Sequence, residues 1–150
     1  MDAIALLKAD HDKVKKMLAD GEETTERAEK TRTELFGSLK SEMLIHERIE
    51  EEIFYPALKS HPKARDIVLE GYEEHHVVDE IMGELEATSV TDETWGAKFK
   101  VMKENIEHHI EEEEGEMFKQ ARQVFDADEL EQLGVRMMEL KQLGQQVEAG

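Results

Sequence analysis

Two His/Glu pairs with the same spacing are the residues of this chain best placed to do chemistry. His46 lies four residues before Glu50, and His109 lies four residues before Glu113. Both pairs fall in long stretches with a helical pattern, where residues i and i+4 share one face, about one turn apart. Each pair can therefore direct an imidazole nitrogen and a carboxylate at one point in space.

Two single histidines extend this pattern to four helices. His11 and His75 occupy the apolar stripes of two other predicted helices, where aliphatic residues are expected. A lone histidine on such a face is more often a hydrogen-bonded core residue, but four of them on four stripes indicate a shared site. A buried, unpaired carboxylate costs on the order of several kcal/mol, and a cation would neutralise it. We predict a metal site formed by His11, His46, Glu50, His75, His109 and Glu113.

The position of each His/Glu pair on its helix and the types of ligand atom limit which metal site is expected. The pairs His76/Glu80 and His108/Glu112 have the same spacing, but they lie on the flanks of their helices. Imidazole and carboxylate without sulfur suit iron, manganese or zinc. Six ligands exceed the needs of one tetrahedral zinc, so two metal ions bridged by the glutamates fit better. A ferritin-like site needs Glu-x-x-His motifs, and the one such spacing, Glu73 to His76, lies off the stripe.

Composition sets the broad class of protein. The 150 residues suit a single domain, 39% of them are hydrophobic and 37% charged, and the mixture favours helices. A net charge of −18 argues against nucleic acid and anionic membranes as partners. The absence of cysteine excludes thiolate chemistry and disulfides. The chain shows no apolar run of membrane-span length and no signal-peptide pattern, so we expect a cytoplasmic protein.

The apolar periodicity predicts five helices joined by short turns. Asp2 is a candidate N-cap for the first, Pro56 limits the second, and Thr91 or Asp92 can cap the fourth. The fold class is all-α, with an up-down-up-down four-helix bundle and an additional C-terminal helix. We expect residues 1–125 to form the bundle and residues 126–150 to form an amphipathic helix that packs on it, with packing against a second subunit as the alternative. The helices span approximately residues 2–20, 25–53, 63–87, 92–125 and 128–147.

The order of the motifs resembles a known family. A single His, His-x-x-x-Glu, a single His and His-x-x-x-Glu resemble the bacterial type of the hemerythrin-like, or HHE cation-binding, domain family. The resemblance covers approximately residues 2–125 and includes Leu6 to His11, His46 to Pro56, Glu73 to His75, and His108 to Phe118. It implies a non-haem di-iron centre, with two iron ions bridged by an oxo or hydroxo group. Such a centre meets dioxygen, peroxide or nitric oxide.

One position departs from the respiratory hemerythrins, which carry His-x-x-x-His on the third helix. Here Gly71 stands four residues before His75 and cannot bind a metal. We hypothesise that Gly71 opens space beside one iron, filled either by water or by the phenol of Tyr55, a candidate extra ligand. Tyr72 is a weaker candidate, and in the alternative interpretation Tyr55 only caps the core next to Pro56. Fewer imidazoles argue against reversible oxygen carriage.

Two functions compete at this stage. The first is a di-iron protein that binds or reacts with peroxide, dioxygen or nitric oxide, with weak catalase-like turnover. No catalytic group beyond the metal centre is evident, so any chemistry belongs to the metal. The alternative is a non-catalytic module for iron, oxygen or redox sensing, storage or carriage. Small molecules are the expected partners, without nucleic acid or membrane, and the chain is expected to be a monomer or weak homodimer.

Overall fold

The fold is an all-α bundle with an additional C-terminal helix. The structure is a computed structural model that describes residues 1–149, with side chains through residue 147, and those residues contain no strand. Gly150, which belongs to the predicted C-terminal segment, lies outside the described residues. Within the described residues, seven α-helices follow one another: α1 (Ala3–Glu22), α2 (Glu29–Ile49), α3 (Tyr55–Lys59), α4 (Arg65–Glu86), α5 (Trp95–Glu112), α6 (Phe118–Val124) and α7 (Ala127–Ala149).

Two of the four long helical segments of the bundle, called rods below, are not uniform α-helices. A π-helical segment, Glu50–Phe54, joins α2 to α3, and a second one, Glu113–Met117, joins α5 to α6. A π-helix closes i→i+5 hydrogen bonds, and such single turns are frequent at functional sites. The two segments begin at the two glutamates of the predicted site.

The predicted end of the second helix is wrong. The rod continues past Pro56 to Lys59, because the proline sits in the first turn of α3. Proline is tolerated in the first turn of a helix, because its fixed φ suits the helix and its missing N–H costs least there. In the π-helical segment, the Tyr55 N–H bonds to the Glu50 carbonyl.

The second and fourth helices begin later than predicted, whereas the cap of the first helix lies where predicted. The carboxylate of Asp2 accepts from the Ala5 N–H at 2.8 Å, so the predicted first cap is confirmed. The second helix begins at Glu29 rather than near residue 25. The fourth begins at Trp95, because Asp92 accepts from the Thr94 N–H at 2.7 Å and holds a turn before the helix instead of capping it.

The core has two parts, one on each side of the candidate site. At one end Trp95, Phe99 and their neighbours form an apolar cluster, and the buried Arg32 lies against Trp95. The Arg32 guanidinium donates to the carbonyl of Val90 at 2.7 Å and lies 4.4 Å above the centre of the Trp95 ring. These contacts tie α2 to the loop between α4 and α5 and to the start of α5.

At the other end, α7 packs against α1, α2 and the first π-helical segment. Its Leu130, Leu133 and Met137 are buried in the same apolar cluster as Ile4 and Leu7 of α1. The division of the chain into a bundle of residues 1–125 and a segment of residues 126–150 stays a prediction. Within the described residues, we find no helix that combines the length and the apolarity needed to cross a membrane.

Candidate metal centre

The structure brings the six predicted side chains together inside the bundle. They form two groups of four that share Glu50 and Glu113: one adds His11 and His46, and the other adds His75 and His109. Within each group the candidate ligand atoms lie within 4.8 Å of one another. All six residues are buried, each at most 4% exposed.

Each imidazole presents Nε2 to the shared carboxylates. His11 Nε2 lies 3.1 Å from Glu113 Oε1, and His46 Nε2 lies 3.2 Å from Glu50 Oε1. On the other side, His75 Nε2 is 3.1 Å from Glu50 Oε1, and His109 Nε2 is 3.1 Å from Glu113 Oε2. Each glutamate therefore contacts a histidine of both groups.

The opposite ring nitrogen, Nδ1, of each histidine has a carboxylate partner of its own. The four Nδ1–oxygen pairs are His11–Glu114 at 2.7 Å, His46–Asp10 at 2.9 Å, His75–Glu51 at 2.9 Å and His109–Glu74 at 2.6 Å. Such partners fix the ring orientation and the tautomer of a ligating histidine. A proton on Nδ1 leaves the Nε2 lone pair free for a metal.

The sequence prediction missed these four carboxylates, although a signal for them exists. Each is the immediate neighbour of a predicted site residue, but it contacts a histidine on a different helix. Asp10 precedes His11 yet contacts His46, and Glu114 follows Glu113 yet contacts His11. Carboxylates next to the candidate ligands could therefore have been proposed as partners, although not paired with particular histidines.

Unpartnered atoms at the centre test whether a cation fits. The buried atoms without a hydrogen-bond partner include Nε2 of His11 and His46, Oε2 of Glu50 and Oε1 of Glu113. These four atoms belong to the four residues of the first group, His11, His46, Glu50 and Glu113. Buried polar atoms without partners are costly, and a cation satisfies all of them together. The buried His/Glu cluster fits a metal site.

Electrostatics in the metal-free chain support the same conclusion. Burial lowers the pKa of His46, but Glu50 and Asp10 outweigh it and raise that pKa well above its usual value. Carboxylate neighbours overcome burial in the same way and raise the pKa of His75 to about 9 and that of His109 to about 10. Burial raises the pKa of Glu113, but Glu50 and the histidines hold it well below the usual range. Protons on the imidazoles therefore take the balancing role that a metal would have.

Tyr55 lies in the space that Gly71 leaves open. A Cβ atom at position 71 would stand 2.9 Å from the Tyr55 hydroxyl oxygen. That hydroxyl donates to Glu113 Oε2 at 2.7 Å and lies 3.4 Å from Nε2 of both His75 and His109. Burial and the charges of Glu113 and Glu50 raise the pKa of Tyr55 well above its ordinary value, so the phenol stays protonated here. Tyr72 instead approaches the Glu51 carbonyl at 3.4 Å.

The two halves of the centre are related by an approximate internal symmetry. Tyr55 follows His46 by nine residues and stacks on His75, with 5.3 Å between ring centres. Phe118 follows His109 by nine residues and stacks on His11 at 6.0 Å. In each rod the π-helical segment turns the aromatic side chain towards the site, because a residue five positions beyond the glutamate lies about one turn away. A phenol therefore faces the His75/His109 position, and a phenyl ring faces the other.

The flanking histidines stay outside the centre. The side chains of His76 and His108 are 67% and 64% exposed, and they pair with Glu80 and Glu112 on their own helices. Beside the centre, an open surface groove of about 410 Å³ is lined by Glu51, Tyr72, Glu73, His75, His76 and Asp79. The buried His75 ring thus borders a route from solvent.

A helical bundle around a buried His/Glu cluster defines the class of metal-binding four-helix bundle proteins. The model of the hemerythrin HHE cation-binding domain matches residues 2–121, so the chain belongs to the hemerythrin HHE cation-binding domain family. Its structure is similar to the crystal structure of a hemerythrin HHE cation-binding domain-containing protein from Mycobacterium kansasii. The TM-score is 0.84 and the sequence identity 28%, over 96% of this chain and 87% of that chain. No curated protein matches the sequence.

Proposed function

We propose that this chain is a non-haem di-iron protein that binds or reacts with peroxide, dioxygen or nitric oxide. His11 and His46 would hold one iron ion, His75 and His109 the other, and Glu50 and Glu113 would bridge them. The observation that carries this proposal is the sharing of both buried glutamates by two groups of histidines. A single ion would leave half of these lone pairs without a partner.

The donor set argues against a single zinc ion, and iron is the metal that the family resemblance implies. Imidazole and carboxylate without sulfur suit iron, manganese and zinc, but six protein ligands with bridging carboxylates exceed one tetrahedral zinc. When bound, two iron ions with an oxo or hydroxo bridge supply one- and two-electron chemistry with small oxygen and nitrogen species. The residues of the chain supply burial and fixed imidazole orientations.

The surroundings of the centre favour small substrates. The six side chains are buried, and the groove beside His75 reaches the ring edge rather than opening onto the whole cluster. Diatomic molecules and peroxide can pass between packed side chains, whereas a larger substrate would need the helices to separate.

We also propose Tyr55 as an additional ligand of the iron held by His75 and His109. The support is its position: the hydroxyl is close to Glu113 and to both histidines, in the space left by Gly71. A phenolate at this position would favour the ferric state, which opposes reversible oxygen carriage. The remaining alternative is that water binds there and Tyr55 only fills the core.

Peroxide consumption by the iron-loaded protein tests the reactive function, with matched neighbouring histidines as controls. His109→Ala is expected to lose iron and turnover, whereas His108→Ala should keep both, because His108 is exposed and outside the cluster. The pair His75→Ala and His76→Ala should behave in the same way. The proposal fails if iron-loaded wild-type protein neither consumes peroxide at substoichiometric protein nor reacts with dioxygen or nitric oxide.

The visible spectrum separates the two proposals for Tyr55. If its phenolate binds iron, a broad visible band should disappear in Tyr55→Phe, while Phe118→Leu should retain it. An unchanged band in Tyr55→Phe would leave water as the occupant of this position.

A non-catalytic sensing, storage or carrier module is the second candidate, and the charge balance at the centre favours it. Without metal, the carboxylates are balanced by protons on buried histidines, so metal occupancy is coupled to stability. A large rise in melting temperature on iron binding, without turnover of any of the three small molecules, would select this function.

A further inference from the structure

One of the four Nδ1 partners differs from the other three. The side chain of Asp10, which contacts His46, is only 7% exposed. The side chains of Glu114, Glu51 and Glu74 are 28%, 39% and 25% exposed, so water can reach them. A carboxylate buried to this extent needs a partner for its second oxygen.

The C-terminal helix supplies that partner. Lys141 of α7 donates from Nζ to Asp10 Oδ1, while Asp10 Oδ2 lies 2.9 Å from His46 Nδ1. The Lys141 side chain is itself only 17% exposed. An ammonium group, a carboxylate and an imidazole thus form a continuous connection from α7 to one edge of the centre.

Lys141 is held in place by contacts on both sides of it along α7. At Gly134 the helix approaches the N-terminus of α1 so closely that a Cβ atom would lie 2.3 Å from the Met1 carbonyl oxygen. Beyond Lys141, a Cβ atom at Gly144 would lie 3.3 Å from the side chain of Ile45. Because α7 is fixed before and after Lys141, the ion pair belongs to a packed interface.

The equivalent position in the other half of the centre has no such cation. Glu74 contacts Nδ1 of His109, and its second oxygen lies 3.9 Å from Nε2 of His108, a side chain that is 64% exposed. The family model ends at residue 121, before α7 begins. The connection from Lys141 therefore makes the two halves of the centre unequal.

We propose that Lys141 is a positioning residue of the metal centre, which acts through Asp10 to hold His46 in the orientation for metal binding. The proposal rests on the proposed function, because it assigns α7 a role at the His11/His46 position. Lys141 fixes one carboxylate oxygen, so the other is directed at Nδ1 and the imidazole ring cannot rotate freely. Substituting partners of ligating histidines typically weakens metal binding by about 10- to 100-fold.

Cobalt(II) titration of the metal-free full chain, followed by visible absorption, tests the proposal. Wild-type protein is expected to bind two ions, and Lys141→Met should weaken one binding step by about tenfold or more, with the other unchanged. Lys141→Arg keeps the charge and should restore the weakened step. Lys40→Met is the matched control, since Lys40 forms an ion pair between helices with Glu86 and contacts no histidine.

A metal-free measurement separates failure of this proposal from failure of the proposed function. In Lys141→Met, the imidazole NMR signals of His46 should shift, whereas those of His75, whose partner is Glu51, should not. If wild-type protein binds neither cobalt nor iron, the di-iron function fails, and the His46 signals still decide whether Lys141 positions that ring. Lys141→Gln provides a second uncharged variant if Lys141→Met does not fold.

Two results would overturn the proposal. One is an unchanged cobalt titration together with unchanged His46 signals in Lys141→Met. The other is an equal weakening of both binding steps in parallel with a lower melting temperature, which would show that Lys141 only stabilises the packing of α7.

Discussion

Replacing Gly71 with alanine should destabilise the protein, although alanine is the better helix former. The gain in helix propensity is about 1 kcal/mol. The new Cβ atom, however, would lie 2.9 Å from the hydroxyl oxygen and 3.0 Å from Cζ of Tyr55, a fully buried ring. The phenol cannot move away freely, because it is packed between His75 and Tyr72.

The size of the effect follows from two losses. Overpacking in a well-packed core costs about 1–3 kcal/mol. A displaced phenol also loses its 2.7 Å hydrogen bond to Glu113, and hydrogen bonds to charged groups contribute about 1.5–3 kcal/mol. After subtraction of the propensity gain, we expect a net loss of about 1.5–5 kcal/mol in the free energy of unfolding.

Urea unfolding of the metal-free protein measures this loss, and Gly83 on the same helix provides the control. A Cβ atom at Gly83 meets nothing within 4 Å, so Gly83→Ala should stabilise by about 0.5–1 kcal/mol. The cost of Gly71→Ala should also fall by about 1 kcal/mol or more in a Tyr55→Phe background, which lacks the nearest atom. The reasoning is refuted if Gly71→Ala is as stable as wild type, or stabilises as Gly83→Ala does.

Three further predictions concern the metal-free protein. Because the pKa values of His75 and His109 rise to about 9 and about 10, the folded chain holds more protons than the unfolded chain above pH 6.5. Its free energy of unfolding should therefore fall between pH 6.5 and 10, by up to about 1.4 kcal/mol per pH unit for each proton, and a flat urea profile would contradict this. Burial and a hydrogen bond with a second carboxyl group raise the pKa of Glu47 to about 9. Above pH 4.5 this side chain ionises in the unfolded chain but stays protonated in the folded chain, so the folded state loses stability. Glu47→Gln should therefore stabilise the protein by about 1–2 kcal/mol at pH 8 and have little effect at pH 4. Arg32→Met should lower the melting temperature and cost about 2–4 kcal/mol, because it removes three hydrogen bonds and a cation–π contact, whereas the exposed Arg27→Met should be neutral; equal effects would be inconsistent with the contacts described.

The cluster of six side chains was predictable because spacing on a helix determines which residues share a face. His46 with Glu50 and His109 with Glu113 identify the face of two helices that carries the ligands. The apolar stripes that contain His11 and His75 identify the corresponding face of the other two helices. The partners at Nδ1 were not predictable as pairs, since they join different helices. Lys141 carried no signal at all, because its pairing with Asp10 spans 131 residues and depends on how α7 packs.

The π-helical segments explain the main differences between the predicted and observed helices. Periodicity arguments assume 3.6 residues per turn, and a single i→i+5 turn leaves no mark in the composition of Glu50–Phe54 or Glu113–Met117. The extra residue per turn brings Tyr55 and Phe118 onto the face of the site. The first π-helical segment also directly precedes α3, and Pro56 is tolerated in the first turn of that helix.

Iron content per chain, measured by elemental analysis after loading of metal-free protein and removal of free iron, tests the central claim most directly. Two iron ions per chain are expected for wild type and for His108→Ala, and fewer than two for His109→Ala. A near-ultraviolet spectrum with oxo-bridge bands should accompany the value of two. One ion per chain, zinc in preference to iron, or no bound metal with an intact fold would contradict a di-iron centre at these six residues.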